Sequence, residues 1–177
     1  MSLDPRPMTV AFALMAFAIG SAVAQTALPK ASPAERATLQ KFVQAYMNGL
    51  EDNDYHEVVA EEVALRIKEG KKDFVVVDVR MPKDKKYDLG HVPGAIHIDL
   101  NELVKPASLA KLPRNKEIIL YCDTGQQQNK AVVALRLLGY DAYVMKWGYM
   151  AWAASSGTET TLQAIKEAST VGYPVQK

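Results

Sequence analysis

The stretch EIILYCDTGQQQNKAVVALRLLGY, Glu117 to Tyr140, decides how this chain folds. EIILY is a short β-branched and aromatic run, as expected of a strand covered on both faces. NKAVVALRLLGY has helical spacing of apolar residues and a closing glycine, Gly139. Between them lies CDTGQQ, with the chain's only cysteine, Cys122, directly after the strand and directly before the helix. Gly125 gives the loop backbone freedom that other residues lack.

The same pattern repeats on either side. FVVVDVR (Phe74–Arg80) reads as a second buried strand. GHVPGAIHIDL holds a Gly/Pro turn and a short strand near Ala95–Ile98. LNELVKPASLAKLPRNK reads as a short helix or turn followed by loop. DAYVMK is a further strand, and WGYMAWAASSG turns into a short helix or loop. Near the N-terminus Ser32-Pro33-Ala34-Glu35 forms a capping box with proline at the first helical position. It predicts a helix from Pro33 to Asn48, with Leu39, Phe42, Val43 and Tyr46 on one face and Gly49 at its end. Asp54-Tyr55-His56-Glu57 has the same logic and predicts a second helix, its apolar face carrying Val59, Val63 and Ile67. TETTLQAIKEAST predicts a terminal helix. Strands alternating with helices imply an α/β fold with a mainly parallel central sheet flanked by helices. Such sheets place ligand sites at the carboxyl ends of their strands, which is where Cys122 stands.

Composition narrows the function. The chain has 177 residues, 21 basic and 20 acidic, so no basic surface for nucleic acid is expected. One cysteine excludes an internal disulfide and a Cys-x-x-Cys pair, and three histidines make a weak metal site. No cofactor is expected. MTVAFALMAFAIGSAVAQ, after Arg6, has the length of a signal-peptide core and a small-x-small site, with cutting expected after Ala24. The expected organisation is a signal peptide over 1–24, a linker and N-terminal helix over 25–54, one domain over 55–157, and a C-terminal helix or tail over 158–177. A periplasmic or secreted location follows, with no stable membrane span after cleavage. In such a compartment an idle free thiol is a liability.

A strand–cysteine–loop–helix unit has its own chemistry. A tight loop can present successive N–H groups to an anion, and a helix start adds unpaired N–H groups and a positive dipole end. Both favour a thiolate. This reading requires a Cys122 sulfur that is exposed and faces those N–H groups. Asp123 would oppose the thiolate and is expected to point outward.

Four stretches in order resemble the rhodanese family, the single-domain sulfurtransferases: VVVDVR, GHVPGAIHI, IILYCDTG and LRLLGYDAYVMKWGYMAW. The resemblance implies a three-layer rhodanese-like domain in which Cys122 takes sulfur from a donor, becomes a persulfide and passes the outer sulfur to an acceptor thiol. It implies that the backbone of Asp123, Thr124, Gly125, Gln126 and Gln127 binds the donor. The donor would be a small sulfur-containing anion or a persulfide, and the acceptor a thiol or a partner protein. One departure matters. The family often has arginine where this chain has Gln127. Losing a charged hydrogen bond costs about 1.5–3 kcal/mol, or about one to two decades in affinity, so thiosulfate is a doubtful donor. Lys130 compensates only if it folds back. The alternative is a non-catalytic binding or redox-sensing module. Asp78 and Arg80 are expected to form a structural pair, His91 to bond backbone in its turn, Trp152 to sit in the core and Trp147 to shape the rim of the site.

Overall fold

A computed structural model describes residues 29–153 and 158–171. The expected signal peptide and the domain boundary at 157 lie outside the described residues.

Five parallel strands form one sheet in the order β1-β5-β4-β2-β3. They are β1 (Glu57–Val58), β2 (Phe74–Asp78), β3 (Ile96–His97), β4 (Glu117–Tyr121) and β5 (Ala142–Met145). β4 is central and pairs with β2 from Phe74↔Glu117 to Asp78↔Tyr121, and with β5 at Ile118↔Ala142 through Leu120↔Val144. The α-helices of the described residues are α1 (Pro33–Asn48), α2 (Ala60–Lys68), α3 (Pro106–Leu109), α4 (Gln128–Leu137), α5 (Tyr149–Trp152) and α6 (Thr158–Val171), with short 3-10 segments at Glu51–His56, Lys83–Lys85 and Leu100–Glu102.

Strand alternation divides the core into two layers. Ile118, Leu120 and Cys122 join Val77, Val79 and Val144 under Ala131, Val132 and Leu135 of α4. Ile119 and Tyr121 face the other way, with Val76, Met145 and Val63 of α2. Cys122 is thus assigned to the α4 side by the period of β4 itself.

The capping box of α1 is present: Ser32 Oγ accepts from the Glu35 N–H, and Glu35 accepts from the Ser32 N–H at 2.7 Å. None of its residues is buried, and Leu39, Phe42 and Val43 lie exposed. Its link to the domain includes Tyr46, stacked on His56 at 5.6 Å between centroids.

The second helix begins later than expected. Asp54, Tyr55 and His56 all take positive φ (46°, 56° and 56°), which no right-handed helix accepts. His56 is buried, and its Nδ1 accepts from Arg136 at 2.8 Å. Glu57 and Val58 then pair with β5 as an edge strand, and α2 opens only at Ala60. Val63 is buried and Ile67 partly so, but Val59 is 47 % exposed rather than on the apolar face.

Candidate functional site

The site lies where β2, β4 and β5 end. β4 delivers Cys122, and the loop 123–127 leads into α4. Among the described residues, the N–H groups of Asp123, Thr124, Gly125, Gln126 and Gln127 donate to no protein acceptor. Five successive donors next to a helix start suit an anion or a sulfur carrying negative charge.

The carbonyls of this loop are pinned from behind. Tyr149 N–H donates to the Cys122 carbonyl at 2.7 Å and Met150 N–H to the Asp123 carbonyl at 2.9 Å. Gly148 makes this approach possible. Its φ of 60° and ψ of −150° belong to glycine, and a Cβ there would lie 2.5 Å from the Cys122 carbonyl oxygen.

Gln128 is the residue that sequence reasoning missed. It is almost fully buried, accepts the Cys122 N–H at 2.8 Å and donates to the Met145 carbonyl at 2.6 Å. It therefore ties the ends of β4 and β5 together below the loop. Its signal was available: Gln128, Ala131, Val132 and Leu135 share helical spacing and one buried face. Gln128→Ala would leave the buried Cys122 N–H unpaired, while the Met145 carbonyl keeps the Gly148 N–H at 2.9 Å, with an expected cost of about 1–3 kcal/mol. Urea unfolding measures it, and a cost below about 1 kcal/mol would contradict this role.

The other two glutamines behave differently. Gln126 and Gln127 are exposed, and Gln127 Oε1 accepts from Lys130 at 3.3 Å. Lys130 does fold back, placing an exposed ammonium group beside the position where arginine was expected. Salt and water screen such a charge.

Asp123 does not point outward as expected. Its Oδ2 pairs with Lys86 at 3.2 Å, and its Oδ1 is buried without a hydrogen-bond partner. Lys86 lies in the charged run KDKKYD at 83–88, whose composition by itself suits a solvated surface loop. Tyr87 also leaves that role, donating its hydroxyl to the Ala95 carbonyl at 2.6 Å.

Cys122 itself corrects a second expectation. It is 2 % exposed and packs with the core, where an exposed sulfur was anticipated. The alternation of β4 turns its side chain to the α4 layer, and Gln128 closes over its N–H. In this conformation only a small reactant, or a loop that yields, brings sulfur to the thiol.

Asp78 and Arg80 form the expected structural pair. Arg80 Nε lies 3.0 Å from both Asp78 carboxylate oxygens, Arg80 Nη2 donates to Asp78 at 2.6 Å and to the Gly90 carbonyl at 2.6 Å. Tyr121 donates its hydroxyl to Asp78 at 2.7 Å, and burial with the adjacent carboxylate pushes its phenol well above the ordinary range. The guanidinium lies 4.0 Å from the Tyr149 ring centre, so the pair braces the segment that holds the Cys122 loop. His91 Nδ1 lies 3.0 Å from the Tyr87 carbonyl, a backbone contact as expected. Trp152 packs partly buried against the second core layer, and Trp147 is 61 % exposed at the site. Among the described residues no three acidic, histidine or cysteine side chains group as a metal site.

Comparison with known proteins agrees with this fold. The family model described as a rhodanese-like domain matches residues 59–155. The "Probable adenylyltransferase/sulfurtransferase MoeZ" of Mycobacterium tuberculosis is 34% identical over 83 residues, 46% of this chain and 21% of that protein. The thiosulfate sulfurtransferase PspE of Escherichia coli is 36% identical over 64 residues, 36% of this chain and 60% of that protein. The chain thus spans about a fifth of the first relative and three fifths of the second. Among solved structures, the BH2092 protein from Bacillus halodurans aligns with a TM-score of 0.50 and 26% identity, over 64% of this chain and 80% of that one.

Proposed function

This chain belongs to the rhodanese-like domain family, and we propose that it moves sulfane sulfur through a persulfide on Cys122. The observation that carries the reading is the placement of Cys122 at the end of the central strand, followed by five loop N–H groups with no protein acceptor. Once the 123–127 loop yields and uncovers Cys122, which is 2 % exposed here, its thiolate attacks the outer sulfur of a donor persulfide. The donor's S–S bond breaks, its thiolate leaves, and Cys122 carries the extra sulfur. An acceptor thiolate then attacks that outer sulfur and returns Cys122 as thiolate, with no net redox change. The loop N–H groups stabilise negative charge on the sulfur held between the two steps.

The donor is a persulfide or polysulfide rather than thiosulfate. A sulfonate demands a charged fork of donors, while Gln127 is neutral and exposed and Lys86 is committed to Asp123. Purified protein is expected to turn over thiosulfate and cyanide poorly and to accept sulfur readily from polysulfide. Turnover of thiosulfate with a KM in the ordinary micromolar-to-millimolar range would overturn this donor choice.

Export belongs to the same proposal. The apolar run before Ala24 supports it, and a mature chain beginning at Gln25, read by intact mass, is the expected result. No helix of the described residues is long and apolar enough to cross a membrane.

The 2 % exposure of Cys122 favours a second reading, a rhodanese-like module whose loop binds an anion or partner without sulfur transfer. The two differ in one outcome: the transferase gains a sulfur on Cys122 and the module does not.

A further inference from the structure

His56 is buried, and its partner fixes its protonation. Its Nδ1 lies 2.8 Å from Arg136 Nη2. A guanidinium only donates and keeps its charge, so Nδ1 must accept and carries no proton. The ring is therefore the neutral tautomer with its proton on Nε2. A second proton would fall on Nδ1, break this bond and set imidazolium against guanidinium inside the protein.

Arg136 is held where it stands. Its Nε donates to the Ala142 carbonyl at 2.8 Å, its Nη1 pairs with Asp141 at 3.1 Å, and its guanidinium lies 4.8 Å from the Tyr143 ring centre. His56 meets Tyr143 edge-on at 5.8 Å between centroids and stacks on Tyr46 at 5.6 Å. The titratable and charged groups around the ring are thus Arg136 of α4, Asp141 just before β5, Tyr143 of β5 and Tyr46 of α1. Asp54, Tyr55 and Glu57 flank it in the chain. Burial and then Arg136 hold His56 below the ordinary imidazole range, against the opposite pull of Asp141.

The ring fastens the first elements to the domain. α1 buries none of its residues, and its Tyr46 is the stacking partner of His56. Asp54, Tyr55 and His56 keep positive φ at 46°, 56° and 56°, a strained run that persists only while its surroundings hold it. Glu57 and Val58 follow as β1, and Glu57 pairs with Lys146 at 3.0 Å, two residues before Gly148.

We infer that His56 is a proton-operated clasp: the neutral ring closes residues 46–58 onto α4 and β5, and the imidazolium releases them. The clasp is independent of the sulfur chemistry. The closed state binds the proton less readily than the open one. Closure is therefore fully favoured above about pH 6.5 and weakens as pH falls below it.

Hydrogen exchange of the full chain, read by mass spectrometry and corrected for the intrinsic pH dependence of exchange, tests this at about pH 7.5 and about pH 5. Protection of peptides within 46–58 is expected to fall by about 3- to 30-fold at the lower pH, the upper figure being the ceiling for one proton gained at ordinary imidazole affinity. β4 stays protected at both. His56→Gln keeps an acceptor for Arg136 and has no proton to gain, so its protection is expected to be equal at the two pH values. Unchanged protection in the unmodified chain, a loss shared equally by β4, or the same loss in His56→Gln overturns the inference. The ring nitrogen NMR shifts of the unmodified chain give a second reading that needs no variant. At the higher pH His56 is expected as the Nε2–H tautomer, and its protonation is expected to coincide with the loss of protection. An Nδ1–H tautomer, or a ring already charged at the higher pH, contradicts the clasp.

Discussion

Arg80→Ala lowers the unfolding free energy by about 3–5 kcal/mol. Asp78 is fully buried and Arg80 2 % exposed at the side chain, so neither charge is screened by solvent. Removing the guanidinium leaves the Asp78 carboxylate inside the core with only the Arg80 N–H and the Tyr121 hydroxyl as partners. It also strips the Gly90 carbonyl of its donor and the Tyr149 ring of its stacked cation. Domains of this size are stable by about 5–15 kcal/mol in total, so the loss is a large share of the whole. Arg80→Lys recovers little of it, because a single ammonium cannot reproduce the fork that spans both carboxylate oxygens and Gly90. Urea unfolding reads the change, and a loss below about 1 kcal/mol would show that the pair is not the brace described.

Gly148→Ala damages stability and chemistry together. The added methyl meets backbone on every side: the Cys122 carbonyl oxygen at 2.5 Å, the Gly125 nitrogen at 2.8 Å and the Cys122 carbonyl carbon at 3.1 Å. Backbone cannot rotate away as a side chain can. The φ and ψ of this position add strain for any residue with a Cβ. Overpacking and strain together are expected to cost about 2–6 kcal/mol. The relief available is to push the Cys122 loop outward, which breaks the bonds from Tyr149 and Met150. Sulfur loading of Cys122, followed well below Tm, is then expected to slow by up to about 100-fold, the scale of a 1 Å displacement at a reacting centre. Loading at the unmodified rate would separate the 148 turn from the site.

Much of this arrangement is legible in the residues. The β-branched runs at Phe74 and Glu117 can only be strands buried on both faces, and the cap at Ser32 and the glycine at 139 mark their helices by local chemistry. Cys122 is placed at a strand end by its neighbours alone. What escapes has a physical reason in each case. β1 is two residues long, too short to carry a period. The start of α2 is displaced because positive φ at three residues overrides a good N-cap sequence. The burial of Gln128 beside two exposed glutamines depends on which side of α4 meets the sheet. Lys86 reaches Asp123 across a 37-residue separation that no local pattern reports. The covered state of Cys122 is of the same kind, since the alternation of β4 names the face but not how tightly α4 and Gln128 close on it.

The central claim is that Cys122 carries sulfur, and intact mass after incubation with polysulfide tests it most directly. The unmodified chain is expected to gain one sulfur atom, removable by a thiol, and Cys122→Ser to gain none. An unchanged mass in the unmodified chain, or the same gain in Cys122→Ser, would contradict the account.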